Sequence, residues 1–478
     1  MKRFYLLFLI LTVFLGCSLV KPKVISDKNL AAAVRAELGL NPNEPILEKD
    51  LRALERLFAM HKGIKDLTGL EKATNLQMLY LAGNKITSIT PLARLTQLKG
   101  LSLRHNPIRD IVPLTKLTEL NSLDLTNTGI DNIIPLAGLT QLTHLELSRN
   151  EISDITPLTK LTKLNILKLS DVTTLSLPNR LKLDNEIDDI TPLAALKQLT
   201  KLELQRHQMS DATQTFSVLA ELPKLTKLKL RLNRIGDITP ITRLTQLRSL
   251  VLDSNQIVDI TLFTEMAQLA SLSLRNCQIT DLTPIAEMTQ LKTLLLVRNQ
   301  ITDITPIAEL TQLKTLWISS NDIPDATPIA RLTRLEFLYF SDHQIKDIKF
   351  CSELKQLRSL GFRSGQISDI KPLAGLKQLS RLILDANEIS DISPLTGLAK
   401  LETLSLINNQ VSDISPLAGL TELKWLFLQH NQISDISVLG NLKNLTYLYI
   451  QKNPIQDMKS IRELRKQMPN LQIIESNR

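Results

Sequence analysis

Cysteine, histidine and aromatic side chains are scarce in this chain of 478 residues, which has three cysteines, six histidines and 4% aromatic residues. No two histidines stand at a metal-ligand spacing, and the sequence has neither a phosphate-binding glycine-rich loop nor a nucleophile motif. It also has no nucleic-acid-binding signature. These absences predict a protein that is not an enzyme, holds no cofactor or metal and does not bind nucleic acid.

A long apolar run is missing as well, except near the N-terminus. Lys2 and Arg3 precede the apolar residues 4–15, which are too few to span a bilayer, and a Gly-Cys pair ends at Cys17. The pattern predicts a signal peptide over residues 1–16. The Gly-Cys pair resembles the bacterial lipobox, which implies lipidation of Cys17; an ordinary cleaved signal or an uncleaved anchor is the alternative.

The lipobox resemblance also implies a cellular location for the protein. Residues 17–26 would be a tether, and the protein would be an exported lipoprotein of the cell envelope, at the outer membrane or the cell surface. If the rule for such lipoproteins holds, Ser18 after the lipidated cysteine favours the outer membrane.

Charge of one sign does not dominate the sequence. Lys and Arg total 57 against 48 Asp and Glu, which gives a net charge of +9. Over so long a surface this excess favours a mixed, solvated surface, and an anionic partner is the alternative.

Leucine is abundant and follows a fixed pattern. The motif L-x-x-L-x-L-x-x-N-x-I-x-D-I-[ST]-P-L-x-x-L returns every 22 residues along most of the chain. A unit of this length cannot bury its apolar face alone, so neighbouring copies must stack. The asparagine position, here called the ladder position, identifies 17 copies: Asn84, Asn106, Thr128, Asn150, Asn185, His207, Asn233, Asn255, Cys277, Asn299, Asn321, His343, Gly365, Asn387, Asn409, Asn431 and Asn453.

Each repeat predicts a short strand followed by a helical turn. The L-x-L segment alternates with period two, so Leu79 and Leu81 should point inward. The ladder amide should bond backbone groups of its own turn and of the next coil. Ser/Thr-Pro pairs such as Thr90-Pro91 suit a helical N-cap followed by proline, and the Asp of I-x-D-I should cap the turn.

The repeat pattern resembles that of the leucine-rich repeat proteins, and among them the bacterial internalin-like class with 22-residue repeats. The fold class expected is therefore α/β: a curved leucine-rich repeat solenoid with a parallel β-sheet on the concave face, short helical turns on the convex face and a helical N-terminal cap. The resemblance is specific for the fold and says little about the ligand.

The repeats are expected over residues 63–453, between a helical N-terminal cap at 27–62 and a C-terminal cap at 454–478. Their spacing is irregular at 171–183 and 211–219. The extra residues there should form excursions, which are either binding insertions or decayed repeats.

Apolar spacing predicts two helices in the first cap, and the resemblance implies a third in the C-terminal cap. Two lie in the first cap, from Asp27 to Leu38 and from Leu47 to Met60. The third runs from about Met458 to Met468 and precedes a last apolar strand.

Cys277 and Cys351 are expected to be free core residues. Cys277 fills a ladder position, Cys351 matches Ile307 of an earlier copy, and the two lie more than three repeats apart. A disulfide needs Cα atoms within about 7 Å, so they should not bridge.

Aromatic residues concentrate at outward strand positions. The positions six and four before the ladder residue should face solvent on the concave side, and they hold both tryptophans and every tyrosine after the signal peptide. Clustered exposed rings are typical of binding hot spots, although rings that only stabilise the sheet would look the same. The residues are Tyr80, Trp317, Phe337, Tyr339, Trp425, Phe427, Tyr447 and Tyr449, and the repeat register pairs Trp317 with Tyr339, Trp425 with Tyr447 and Phe427 with Tyr449.

A second candidate surface is basic. Lys227, Lys229 and Arg231 lie on one copy, beside Lys201 and Arg206 of the preceding copy. This surface could contact an acidic partner.

These features predict a non-enzymatic scaffold, tethered to the membrane through lipid at Cys17, that binds a protein partner through the aromatic patches. Binding of a glycan or peptidoglycan is one alternative, because flat rings also stack on sugars. A phosphatase-regulator-like scaffold is another, and the signal peptide argues against it.

Overall fold

The computed structural model describes residues 24–170, 185–205, 212–341, 344–455 and 458–475. The chain forms two compact units, Met1–Leu196 and Lys197–Arg478. The predicted signal peptide, Cys17 and the irregularity at 171–183 lie outside the described residues.

The first unit is a parallel sheet of six described strands that begins next to a helical cap. The strands are short, and successive strands pair in the register of the repeat, as Leu57 with Leu79 and Leu79 with Leu101. The central leucines are buried because alternate side chains of a strand point to opposite faces. The strands are β1 (Arg56–Phe58), β2 (Met78–Tyr80), β3 (Gly100–Ser102), β4 (Ser122–Asp124), β5 (His144–Glu146) and β6 (Ile166–Lys168).

The cap contains helix α1 (Lys28–Leu38) and helix α2 (Glu48–Arg52). Asp27 caps α1, because its Oδ1 accepts the N–H groups of Asn29 and Leu30 at 2.8 and 3.0 Å. Its Oδ2 accepts the N–H of Lys65 at 2.8 Å and so ties the cap to the first coil. The first predicted helix is confirmed.

The second predicted helix is wrong beyond Arg52, since β1 lies inside the span expected to reach Met60. Leu54, Leu57 and Ala59 are buried with the spacing of the strand motif, and β1 pairs with β2. The first coil of the sheet thus begins within the predicted cap. Strand pairing outweighs the helical spacing because it covers an otherwise open sheet edge.

The second unit contains thirteen described strands, paired consecutively and in parallel. Partners again follow the register of the repeat along most of the sheet, as Leu316 with Leu338. The strands are β7 (Lys201–Gln205), β8 (Lys227–Arg231), β9 (Ser249–Val251), β10 (Ser271–Ser273), β11 (Thr293–Leu295), β12 (Thr315–Trp317), β13 (Phe337–Ser341), β14 (Ser359–Arg363), β15 (Arg381–Ile383), β16 (Thr403–Ser405), β17 (Trp425–Phe427), β18 (Tyr447–Tyr449) and β19 (Gln472–Ile474).

Helix α3 (Ala212–Ala220) takes up the irregular spacing near 211–219. Lys201 pairs with Lys227, so the coil between them is longer than the regular repeat. Phe216 and Leu219 are fully buried. The expected excursion is therefore a longer return helix whose apolar side belongs to the core.

The C-terminal cap is helix α4 (Met458–Gln467) followed by β19, which pairs with β18. The predicted helix and last strand are confirmed. Within the described ranges, no helix has both the length and the apolar character that a membrane crossing requires.

The return segments of the described residues are 3₁₀ helices, except where α3 and, before β19, α4 replace them. The first unit has 3₁₀ helices at Leu70–Lys72, Thr90–Arg94, Val112–Lys116, Ile134–Leu136, Thr156–Lys160 and Thr191–Ala195. The second has them at Thr239–Arg243, Thr261–Met266, Thr283–Glu287, Thr305–Glu309, Thr327–Arg331, Lys349–Glu353, Lys371–Leu373, Ser393–Leu395, Ser415–Gly419 and Ser437–Asn441.

Aspartate caps these turns, and the expected Ser/Thr N-cap is wrong. Thr156 is the first residue of its helix, and its N–H donates to Asp154 Oδ1 at 2.8 Å. Hydrogen bonds from the Thr156 hydroxyl and N–H hold the pKa of Asp154 below its usual value. The predicted capping role of the repeated aspartate is confirmed.

The ladder asparagines join successive coils, but each bonds its own coil and the preceding one, so the expected bonds to the next coil are wrong. Asn106 Nδ2 donates to the carbonyls of Leu81 and Leu103, both at 2.9 Å. Its Oδ1 accepts the N–H of Ile86 at 3.0 Å. The side chain is 1% exposed, so it satisfies backbone groups that water cannot reach.

Cys277 and Cys351 are free and buried, which confirms the prediction for both. Cys277 imitates the ladder amide: its thiol donates to the Leu252 carbonyl at 3.4 Å, and its N–H donates to Asn299 Oδ1 at 2.9 Å. Burial raises the pKa of Cys277 to about 11 and raises the pKa of Cys351 further. Neither thiol is therefore set up for reactivity.

Candidate functional site

The candidate site lies on the sheet face, by which we mean the side that carries the residues flanking the central leucine of each strand. The central leucine points into the core: Leu426 is fully buried, whereas Trp425 beside it is 40% exposed. The rigid ladder of strands thus fixes which side chains reach solvent. All the aromatic residues predicted to face outward are on this face.

The C-terminal aromatic cluster consists of Trp425 and Phe427 on β17 and Tyr447 and Tyr449 on β18. Trp425 stacks on Tyr447 with ring centroids 4.1 Å apart and planes 10° apart. Phe427 stacks on Tyr449 at 4.8 Å and 19°. Each pair consists of register partners on adjacent strands. The rings are therefore stacked along the strand-to-strand direction, and each turns one face toward its neighbour.

The central aromatic cluster consists of Trp317, Phe337 and Tyr339. Trp317 and Tyr339 are register partners, and their rings meet edge-on at 5.4 Å and 73°. Phe337 is 39% exposed. The structure therefore brings together the three residues that the sequence grouped, with a geometry different from that of the C-terminal cluster.

Gly361 explains why the Tyr339 ring can lean over the next strand. It is the register partner of Tyr339 on β14, and a Cβ atom there would lie 2.6 Å from Tyr339 Cδ1. The Tyr339 hydroxyl is hydrogen-bonded to Ser359 on the same strand. Ser359 is only 4% exposed. Gly361 therefore leaves room for the Tyr339 ring, and the hydrogen bond with Ser359 fixes its hydroxyl.

A fourth aromatic pair, which lies in the first unit, is absent from the sequence prediction. Phe58 on β1 stacks on Tyr80 on β2 at 5.2 Å and 19°, and Phe58 is 48% exposed. Phe58 was missed because its segment was assigned to a helix. Extending the repeat register back by one copy from Tyr80 would have found it.

The basic surface keeps its residues together, but part of its charge is neutralised. Glu203 is 5% exposed and pairs with Lys201 at 2.9 Å and with Lys229 at 3.0 Å. Burial would raise the pKa of Glu203, but hydrogen bonds from both lysines hold that pKa below its usual value. Arg206 lies outside the described residues.

The other two basic residues of this surface, Arg231 and Lys227, differ in whether their charge is paired. Arg231 pairs with the buried carboxylate of Asp253 at 2.7 Å. Lys227 is exposed and has no ion pair within the part of the chain that the structure describes. The surface remains cationic, with a smaller excess than its sequence suggests.

A metal site has no support among the described residues, where no three His, Cys, Asp or Glu side chains are grouped as ligands. The sheet face offers aromatic edges, amides and paired charges. These groups can bind a ligand, but they supply no activated nucleophile.

Family models and solved structures identify the architecture. Models of leucine-rich repeats match residues 96–138, 289–330 and 421–463, residues 377–433, and residues 138–155 and 221–238. The comparison with curated proteins found no match.

Three solved structures are similar to the chain. An internalin from Listeria monocytogenes is 30% identical, with a TM-score of 0.41, and the match covers 84% of this chain and 95% of that one. A leucine-rich repeat protein from Leptospira interrogans is 24% identical, with a TM-score of 0.49, and the match covers 89% and 97%.

The third structure is the ectodomain of a plant membrane receptor kinase from Arabidopsis thaliana, solved in complex with a Casparian strip integrity factor. It is 20% identical, with a TM-score of 0.52, and the match covers 86% of this chain and 58% of that one. At this identity the likeness concerns the fold alone. The matched models, the coil-to-coil register and the asparagine ladder together show that the chain belongs to the leucine-rich repeat proteins, with internalins among its structural neighbours.

Proposed function

We propose that this protein is a non-enzymatic scaffold that binds a protein partner through the aromatic clusters on its sheet face. Leucine-rich repeat domains commonly bind protein partners, and they are generally not enzymes. The observation that carries the proposal is the exposure of large rings at fixed positions, with Trp425 at 40% and Phe337 at 39%. Aromatic residues held by a rigid sheet lose little conformational entropy on binding.

Ring orientation favours a protein partner over a glycan. A sugar stacks on an exposed aromatic face, but Trp425 and Tyr447 cover one face of each other at 4.1 Å, and so do Phe427 and Tyr449 at 4.8 Å. Each ring therefore has one face fewer to offer a sugar, whereas its edge takes no part in the stack. Ring edges and apolar side chains of a partner pack well against each other, as in aromatic contacts of protein interfaces.

The test is a binding titration with the partner recovered by pull-down from the source cell. Trp425→Ala combined with Tyr449→Ala should weaken binding by about 2 kcal/mol or more, as expected for hot-spot rings. The matched control is Ser249→Ala combined with Ser271→Ala, since both serines also lie on the sheet face, away from the rings. Circular dichroism shows whether each variant is folded.

Two results would count against the proposal. Normal partner binding by the folded aromatic variant would mean that the cluster has only a structural role. Loss of glycan-array binding, with partner binding retained, would move the function to the glycan alternative.

We also propose that Cys17 carries a lipid that tethers the protein to the bacterial cell envelope. The Lys-Arg start, the short apolar run and the Gly-Cys pair support this address. Cys17→Ser should abolish labelling by a fatty-acid analogue and release the protein from the membrane fraction. Unchanged labelling would rule out lipidation at this residue.

A further inference from the structure

Three arginines occupy equivalent positions on the sheet face of the second unit: Arg231, Arg275 and Arg363. Lys229, Ser273 and Gly361 occupy the same register position on their strands. Each arginine follows one of these three residues by two positions in the chain. The backbone positions of the three arginine side chains are therefore equivalent. Differences in what the arginines contact must come from the neighbouring coils.

Two of these arginines pair with an aspartate of the next coil. Arg231 lies 2.7 Å from Asp253, and Arg363 lies 3.2 Å from Asp385. A serine hydroxyl from the coil after that donates to each aspartate, Ser273 to the first and Ser405 to the second. The same three-residue arrangement thus occurs twice on one sheet.

Arg275 lacks this partner, because the equivalent residue of its next coil is Val297. Asp253 on the preceding coil accepts the backbone N–H of Arg275 at 3.0 Å, while Arg231 and Ser273 bind the same carboxylate. Within the described ranges, the Arg275 guanidinium makes no ion pair, and its enclosed Nε has no hydrogen-bond partner.

The Arg275 guanidinium lies over the Trp317 ring, 4.9 Å from its centroid. The indole Nε1 of Trp317 is likewise enclosed without a hydrogen-bond partner in the described part of the chain. Burial, followed by the nearby charge of Arg231, lowers the pKa of Arg275, and Asp253 partly opposes this. Stacking engages the face of the guanidinium, whereas the edge that carries its terminal Nη groups is the fork that binds carboxylates in a bidentate way, and no carboxylate of the described residues pairs with it.

We propose that Arg275, stacked on Trp317, binds a carboxylate from an acidic side chain of a protein partner. This carboxylate takes the place that Asp253 and Asp385 hold beside the other two arginines. The proposal rests on the proposed function and adds the chemistry of one partner residue. A sugar carboxylate is disfavoured because the guanidinium itself occupies the Trp317 face on which a sugar beside it would stack.

The test uses the mature chain with Trp425→Phe, so that Trp317 is its one remaining tryptophan. Hexaglutamate, with hexaglutamine as the neutral probe, is titrated while Trp317 fluorescence is followed at constant ionic strength. Hexaglutamate should give a saturable change, and hexaglutamine should give none. Arg275→Met should weaken the apparent affinity at least fivefold.

Two further variants make the experiment specific. Val297→Asp should weaken hexaglutamate binding as strongly as Arg275→Met, because it supplies the missing carboxylate within the chain. This variant should fold, since Asp stands at the same position in two other coils, and circular dichroism checks that it does. Arg381→Met is the matched control: Arg381 is an exposed residue of β15 on the same face, it makes no ion pair in the described part of the chain, and its loss should change the affinity less than twofold.

Three results would overturn the proposal. They are no saturable response to hexaglutamate, equal weakening by Arg381→Met and Arg275→Met, and trigalacturonate binding as tightly as hexaglutamate. None of these depends on the partner titration with the C-terminal aromatic variant, so failure here leaves the proposed function separately testable.

Discussion

Replacing one ladder asparagine should destabilise the second unit in proportion to the backbone groups it leaves unpaired. Asn409 Nδ2 donates to the carbonyls of Leu384 at 2.9 Å and Leu406 at 3.1 Å. Its Oδ1 accepts the N–H of Ile389 at 3.1 Å. Asn409 is 8% exposed, so water cannot easily replace these bonds.

Asn409→Ala removes these three bonds at once, together with a longer one from Nδ2 to the Ile407 carbonyl at 3.3 Å. At about 0.5–1.5 kcal/mol per hydrogen bond the loss would be about 1.5–4.5 kcal/mol. The buried carbonyls and N–H left without partners move the value toward the upper end, so we expect about 3–5 kcal/mol. Asn409→Thr should cost less, because Thr128 at its own ladder position donates its hydroxyl to the Leu125 carbonyl at 2.8 Å.

The assay is equilibrium urea unfolding of the purified variants, monitored by circular dichroism. The free energies of unfolding are compared with a common slope for their dependence on urea concentration. Asn444→Ala is the matched control, since the exposed Asn444 makes one bond, to the Thr421 carbonyl at 2.9 Å. It should cost less than about 1 kcal/mol. Equal losses for Asn409→Ala and Asn444→Ala would refute the view that the ladder amides hold the coils together.

Three further predictions concern the strand register, the central cluster and the turn caps. Leu296→Ala should cost roughly 2–5 kcal/mol in urea unfolding because Leu296 is fully buried, whereas Val297→Ala on the sheet face should cost much less; equal losses would mean that the register is wrong. Gly361→Ala should cost about 1–3 kcal/mol and alter Trp317 fluorescence as Tyr339 is displaced, whereas Gly138→Ala, with no atom within 4 Å of its added Cβ, should cost nothing; an unchanged Trp317 signal would contradict the contact. Hydrogen bonds from the Thr283 hydroxyl and N–H lower the folded-state pKa of Asp281, so its stabilising effect is present above the unfolded pKa and lost as pH falls through the folded one. The difference in unfolding free energy between wild type and Asp281→Ala should therefore narrow between pH 6 and pH 3, and a constant difference would count against the cap.

Most of the fold could be predicted from the repeat period, because one motif determines strand, ladder and turn together. A leucine every second position, an asparagine after it and an aspartate before the turn each have one physical role in a stacked coil. The ends were harder to predict. Residues 54–59 fit both a helical spacing and the strand motif, and only pairing with β2 decides between them.

For the candidate site, the period by itself determined which rings share the sheet face and which are neighbours, since equivalent residues of successive repeats become register partners. It could not decide how those rings meet. Trp425 and Tyr447 stack face to face, whereas Trp317 and Tyr339 meet edge-on where Gly361 leaves room for the tyrosine. Nor could it place the Arg275 guanidinium over the Trp317 ring, because that contact depends on side-chain distances that only the tertiary structure provides.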